Sequence, residues 1–328
     1  MEIQPQIQPQ YIHLESFQFE SGEVLKDLKI EYATFGRKIT DKAGNITNGV
    51  LYLHGWSGSY SSVGNIDAVI GPGKAVDTKR FFIISPTALG SSSSACPSTT
   101  GLGPTFPPYT VKDMVKFHMK LMEALGIKQL KGVIGTSMGG FQALQWAVDY
   151  PNFMDFLILI ATGPKSGRQM NGAYGLMSRI IREDPAYRDG NYTKNPLGAL
   201  ERGSTVGFLW SMTPEYFEQE FETDEEFWEA MDERNQEVAA LDANDLLWRN
   251  RAMLDFNLEN MVSQIRARTL IIAIANDQIF PPSISTVPLA EAIEDAQIFI
   301  YPSIFGHYGC VRDLELAKRA IATFLEND

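Results

Sequence analysis

Gly135-Thr136-Ser137-Met138-Gly139 sets a hydroxyl nucleophile between two glycines, in a G-x-S-x-G pattern. The apolar residues 130–134 before it read as a buried strand, and residues 141–150 after it as an amphipathic helix. At a strand-to-helix turn, glycines on either side admit a strained backbone that a Cβ would block. Such a turn lifts the Ser137 hydroxyl clear of a sheet, and the helix N-terminus behind it favours developing negative charge. The chemistry this suggests is nucleophilic attack on an acyl carbon.

A serine hydroxyl needs a base within hydrogen-bond reach, and the base needs a carboxylate to fix its tautomer. The chain has four histidines, and only His307 lies downstream of Ser137, in a loop after the last strand. The order nucleophile, acid, base of a serine hydrolase built on an α/β sheet selects His307. Asp277 directly follows an apolar strand at residues 270–275 and is the expected acid. Asp295 precedes its strand and sits at the opposite edge of the sheet. Two N–H donors must face the tetrahedral oxygen. Met138 N–H, just after the nucleophile, is one, and Trp56 N–H, in the loop after residues 51–53, is the other. His54 is read as a buried residue holding that loop, Cys310 as a packing cysteine, and the four serines 91–94 as a pocket rim.

These residues require a scaffold of buried strands. Strand-like runs fall at residues 11–19, 28–35, 49–53, 81–85, 132–134, 156–161, 269–275 and 296–301. Several are continuously apolar, as parallel strands covered on both faces should be. Thr110 and Asp113 open a helix with a capping box, and Gly126 closes it. A final helix is expected at 313–325. The alternation predicts an open α/β sheet. It breaks between about 163 and 262, where the pattern turns helical, most clearly at 225–240. The expected organisation is therefore a core of 1–162 and 263–328 with a helical lid at 163–262 inserted after a central strand. Residues up to about Gln10 read as a loose arm.

The 328-residue chain is 44% hydrophobic, enough for a large core, and no apolar run is long enough to span a bilayer. The N-terminus lacks the basic and apolar regions of a signal peptide. Two distant cysteines give neither a disulfide framework nor metal-ligand spacing, so a cytoplasmic protein with no metal or cofactor is expected. A net charge of -12 argues against nucleic acid as a partner. Thirteen carboxylates against the single base Arg234 lie between Glu215 and Asp245. They read as a solvated helix face, with an acidic mouth that rejects anionic substrates as the alternative.

The stretch from Gly71 to Phe82 resembles a signature of the homoserine O-acetyltransferase family, as does Val133-Ile134-Gly135-Thr136-Ser137-Met138-Gly139-Gly140. So do Gln142-Ala143-Leu144-Gln145-Trp146-Ala147 and Tyr150-Pro151. Asp277-Gln278-Ile279-Phe280-Pro281-Pro282 is similar to the region of the family's acid, and Gly306-His307 to that of its base. The similarity runs from about Glu15 to the C-terminus. It implies an α/β-hydrolase fold, an acyl-Ser137 intermediate formed by ping-pong chemistry, a lid over an acceptor tunnel, and a homodimer through lid helices. The chain departs from the family where the acceptor is held. A family Thr-Tyr-Arg-Ser is replaced by Phe208-Leu209-Trp210-Ser211, and the aspartate after the catalytic histidine by Tyr308. With neither charge, an amino-acid acceptor loses its evident partners. Trp210 and Tyr308 suggest a more apolar pocket. The expected activity is serine-dependent hydrolysis of a small acyl ester. The alternative is acetyl transfer from acetyl-CoA to homoserine or another hydroxyl acceptor. All three triad positions are filled, which leaves a non-enzymatic binding module a distant third.

Overall fold

The computed structural model describes residues 7–238 and 240–326, so most of the expected N-terminal arm lies outside the described residues. Eight strands form one sheet: β1 Gln10–Gln18, β2 Val24–Gly36, β3 Gly49–Leu53, β4 Phe82–Pro86, β5 Leu130–Thr136, β6 Met154–Ile160, β7 Arg268–Ile274 and β8 Ala296–Tyr301. Their order is β1-β2-β4-β3-β5-β6-β7-β8. Strand β2 runs against both of its neighbours, and every other pairing is parallel. Each of the eight expected strands is present.

The pleat explains why the inner strands read as nearly unbroken apolar runs. Val50 and Tyr52 of β3 point into one core, and Leu51 and Leu53 into the other. Strand β6 divides likewise, with Phe156, Ile158 and Ile160 on one face and Leu157 and Leu159 on the other. Both faces are covered, so neither set can be polar.

Helix α1, Val111–Ala124, opens as its sequence requires. The Thr110 side chain accepts from Asp113 N–H, and the Asp113 carboxylate accepts from Thr110 N–H at 3.0 Å. Helix α2, Met138–Asp149, starts at the elbow. Between β6 and β7 the described residues fold as helices: α3 Leu176–Glu183, α4 Leu197–Ser211, α5 Pro214–Glu220, α6 Asp224–Val238 and α7 Ala243–Leu254. The expected end of α6 at Ala240 passes Ala239, which lies outside the described residues. A π-helical turn, Asn171–Gly175, precedes α3. Helix α8, Thr286–Ala292, follows β7.

The expected final helix differs. A 3-10 turn at Leu314–Ala317 precedes helix α9, Lys318–Glu326. Asp313, whose carboxylate accepts from Ser303 Oγ at 2.6 Å, has a non-helical φ of -119° and stands outside the helix as the cap of that 3-10 turn.

Candidate active site

Strand β5 delivers Ser137 at its C-terminal end with φ 54° and ψ -116°, a strained conformation for a residue with a Cβ. The surrounding structure over-determines it. Ser137 N–H donates to Ile160 O at 2.8 Å, tying the elbow to the end of β6. A Cβ on Gly135 would lie 2.3 Å from Gly139 O, and one on Gly139 would lie 2.0 Å from Leu53 O. The two glycines are therefore required by close backbone approach.

Three side chains from three loops meet there. His307 Nε2 lies 2.9 Å from Ser137 Oγ, and His307 Nδ1 lies 2.8 Å from Asp277 Oδ2. A carboxylate only accepts, so Nδ1 carries the hydrogen and Nε2 presents its lone pair to the serine hydroxyl. The second oxygen of Asp277 accepts from Ile279 N–H at 2.7 Å and Phe280 N–H at 3.0 Å, which fixes the carboxylate's rotation.

The loops carrying Asp277 and His307 rest on one turn, the one that follows α4. Gln278 Nε2 donates to Met212 O at 3.1 Å, and Thr213 Oγ1 donates to Ile304 O. Gly306 adopts φ 52° against Ser211, whose carbonyl lies 2.6 Å from where a Cβ would stand.

Met138 is the first residue of α2, a position whose N–H has no partner within its own helix. Trp56 N–H has no acceptor among the described residues. The peptide unit holding it is fixed by His54, whose Nδ1 donates to Gly55 O at 2.7 Å while Nε2 accepts from Ala88 N–H at 3.0 Å. Burial lowers the His54 pKa to about 4, so the ring is neutral and can play both parts at once.

Ser137 and His307 open onto a cavity of about 190 Å³ lined also by Trp56, Tyr174, Ser211 and Tyr308. No carboxylate, lysine or arginine lines it among the described residues. A larger apolar pocket of about 520 Å³ near Phe35 and Ile70 contains none of these groups.

Several expectations need correction. Trp210 does not line the cavity; its ring packs on Gly172, and Ser211, turned about 100° further round α4, faces inward instead. Serines 91–94 do not form its rim either. Ser94 Oγ donates to Thr87 O at 2.8 Å and accepts from Glu31 N–H at 3.0 Å, so it braces the sheet edge. Tyr308 does line the cavity, and its hydroxyl accepts from Arg234 Nη2 at 2.6 Å. This arginine, expected on a solvated helix face, instead stands on α6 behind Tyr308 and lies 4.1 Å from the Phe208 ring centre. Tyr174, on the π-helical turn, was missed, because a one-residue bulge shifts the helical phase that the pattern would have shown. Cys310 lines the cavity as a buried thiol whose pKa is raised, chiefly by burial, which disfavours the nucleophilic thiolate. Most acidic residues of α6 are exposed, but Asp245 is buried, accepting from Ser98 N–H at 2.9 Å and Ser98 Oγ at 2.6 Å.

Strand order, elbow and hydrogen-bonded chain are those of an α/β hydrolase, and the model for the alpha/beta hydrolase fold matches residues 48–309. The chain is 41% identical over 324 residues to a probable acyltransferase of Methanothermobacter thermautotrophicus, covering 98% of this chain and 99% of that protein. It is 30% identical over 344 residues to the homoserine O-acetyltransferase of Trichormus variabilis, covering 98% and 94%. The crystal structure of esterase E22 superposes with a TM-score of 0.89 at 27% identity, covering 97% of this chain and all of that one, 100%. The protein belongs to the homoserine O-acetyltransferase-like family of α/β hydrolases. It is an enzyme of acyl chemistry, by transfer or ester hydrolysis. No helix among the described residues is long and apolar enough to cross a membrane.

Proposed function

We propose that the protein is a serine esterase acting on small, uncharged acyl esters through an acyl-Ser137 intermediate. Ser137 Oγ attacks the ester carbonyl as His307 Nε2 takes its proton, with Asp277 holding the imidazolium in register. Met138 N–H and Trp56 N–H receive the charge that develops on the carbonyl oxygen. His307 then returns the proton to the departing alkoxide. Water repeats the sequence in reverse, leaving a carboxylic acid and free Ser137. The helical segment 163–262 acts as the lid over this site.

The observation that carries the hydrolytic reading is the lining of the cavity. Its polar groups are hydroxyls, peptides, the Asn65 carboxamide, the Cys310 thiol and the His307 imidazole, and no carboxylate, lysine or arginine lines it among the described residues to neutralise the ammonium or carboxylate of an amino-acid acceptor. Acetyl transfer from acetyl-CoA to a hydroxyl acceptor is the second reading, favoured by Arg234 standing directly behind Tyr308. The test compares p-nitrophenyl acetate hydrolysis with CoA release from acetyl-CoA, with and without homoserine. Brisk ester turnover without homoserine stimulation is expected; rapid homoserine-dependent CoA release would replace esterase by transferase. The same reading places the enzyme in the cytoplasm, supported by two buried unpaired cysteines, Cys96 and Cys310. It also assembles the enzyme as a homodimer through the lid, supported by Trp228 of α6, which is 57% exposed.

A further inference from the structure

Trp56 is gripped from outside the sheet by two consecutive residues of α7. Arg249, only 2% exposed, donates from Nη1 to Trp56 O at 2.8 Å and from Nη2 to Gly90 O at 2.8 Å. Its guanidinium carbon also lies 5.8 Å from the Trp56 ring centre. Asn250, fully buried at 0%, accepts from Trp56 Nε1–H at 2.7 Å through Oδ1, while its Nδ2 donates to Ser178 Oγ at 3.0 Å. Arg249 has no carboxylate within ion-pair distance among the described residues. Burying a cation without a carboxylate in contact is costly, and here two backbone carbonyls, in the loops that follow β3 and β4, take its place.

The consequence lies in the peptide planes. Trp56 Cα joins two of them. His54 holds the carbonyl of the first, and Arg249 holds the carbonyl of the second. Trp56 N–H lies in the first plane, pointing opposite to Gly55 O. With both planes and the indole held, the N–H direction is fixed before substrate arrives, as oxyanion stabilisation requires.

We propose that Arg249 and Asn250 are positioning residues that aim the Trp56 N–H of the oxyanion hole, so that α7 supplies the rigidity of a donor carried by the sheet. The inference rests on the acyl-Ser137 reading. It differs from a role in folding by what it affects: the tetrahedral state should suffer and ground-state binding should not.

The experiment uses the full chain and three variants, Arg249→Met, Arg249→Lys and Asn250→Leu, with p-nitrophenyl acetate as substrate. Competent sites are counted by stoichiometric release of p-nitrophenol from diethyl p-nitrophenyl phosphate. A trifluoromethyl ketone, whose hemiketal carries the oxyanion, is measured as an inhibitor. Arg249→Met should lower kcat about 30-fold and Asn250→Leu about tenfold, each with KM within about threefold. The ketone's Ki should rise in step with the loss of kcat/KM. Arg249→Lys, which keeps the charge but has a single nitrogen in place of the fork that spans both carbonyls, should fall between wild type and Arg249→Met. The proposal is overturned if folded variants keep kcat within threefold, if KM rises instead, or if a smaller count of competent sites accounts for the lost rate. Should Arg249→Met fail to fold, Arg249→Lys and Asn250→Leu decide by the same criteria. Ser137→Ala separates the two levels. If it stays active, the acyl-serine reading falls; if it is inactive while Arg249→Met is not, only the positioning role falls.

Discussion

Two histidines of this chain show how surroundings divide one side chain into two functions. His307 has a carboxylate on one nitrogen and a hydroxyl on the other, the arrangement of a proton shuttle. His54 has a carbonyl on one and a backbone N–H on the other, so its ring has no proton to gain or lose near neutral pH. Replacing His54 with alanine leaves the buried Ala88 N–H unpaired. That should cost about 1–3 kcal/mol by urea unfolding, with a drop of about tenfold in kcat as the Trp56 peptide loosens. His307→Ala, by contrast, should abolish ester turnover by at least about a thousandfold with little change in the unfolding midpoint. Ser137, Asp277 and His307 were legible because chain order and strand position single them out. Arg249, Asn250 and Arg234 were not. A lone arginine or asparagine on a helix reads as solvent-facing, and Asn250 meets Trp56 across 194 residues of sequence.

At the level of elements, the inner strands β3 to β7 were readable because burial on both faces keeps them almost continuously apolar. The helices between β6 and β7 were readable as helical, but not in phase. Trp210 and Ser211 differ by one step of α4, and that step decides which of them meets the cavity. The pattern also could not register that the first part of the expected last helix, Leu314–Ala317, is a 3-10 turn. The elbow makes the sharpest prediction at this scale. Gly139→Ala drives a Cβ into Leu53 O, and backbone cannot yield as a side chain can. The variant should lose at least about a hundredfold in kcat/KM toward p-nitrophenyl acetate, or fail to fold. Thr110→Ala, which removes the α1 cap, should cost only about 1 kcal/mol by urea unfolding and leave kcat unchanged.

For the molecule as a whole, buried titrating groups set the acid limit of stability. Burial, the leading cause in each case, lowers the pKa of His54 from 6.5 to about 4 and of His118 from 6.5 to about 3. The unfolded chain therefore takes up these protons at a higher pH than the folded chain does. The stabilisation they represent is complete above about pH 6.5 and drains away as pH falls toward 4 and then 3. For His54 alone this amounts to about 3 kcal/mol. Asp113, raised to about 6 mainly by burial, acts in the opposite sense: it favours folding below its unfolded pKa of 3.8, and that contribution is lost as pH rises through 6. Asp245, raised chiefly by burial, acts in the same sense as Asp113. The two histidines, lowered to about 4 and about 3, set the net direction, so the melting temperature should fall between pH 7 and pH 4.5 in circular-dichroism scans. His118→Leu should flatten that fall without altering ester turnover. A melting temperature independent of pH over this interval would contradict the burial of both rings.

The turn at residues 211–213 has a bearing on how such enzymes diversify. It touches the acid loop through Gln278 and the base loop through Ile304 and Gly306, although it belongs to the helical segment that shapes the pocket. That segment is consequently not an interchangeable cassette. A chimera that imports a relative's helices must also import a turn able to seat both loops, or it will exchange one specificity for a misaligned triad. A change of substrate preference is more readily reached by point changes beside Ser211 on the inward face of α4 than by recombination.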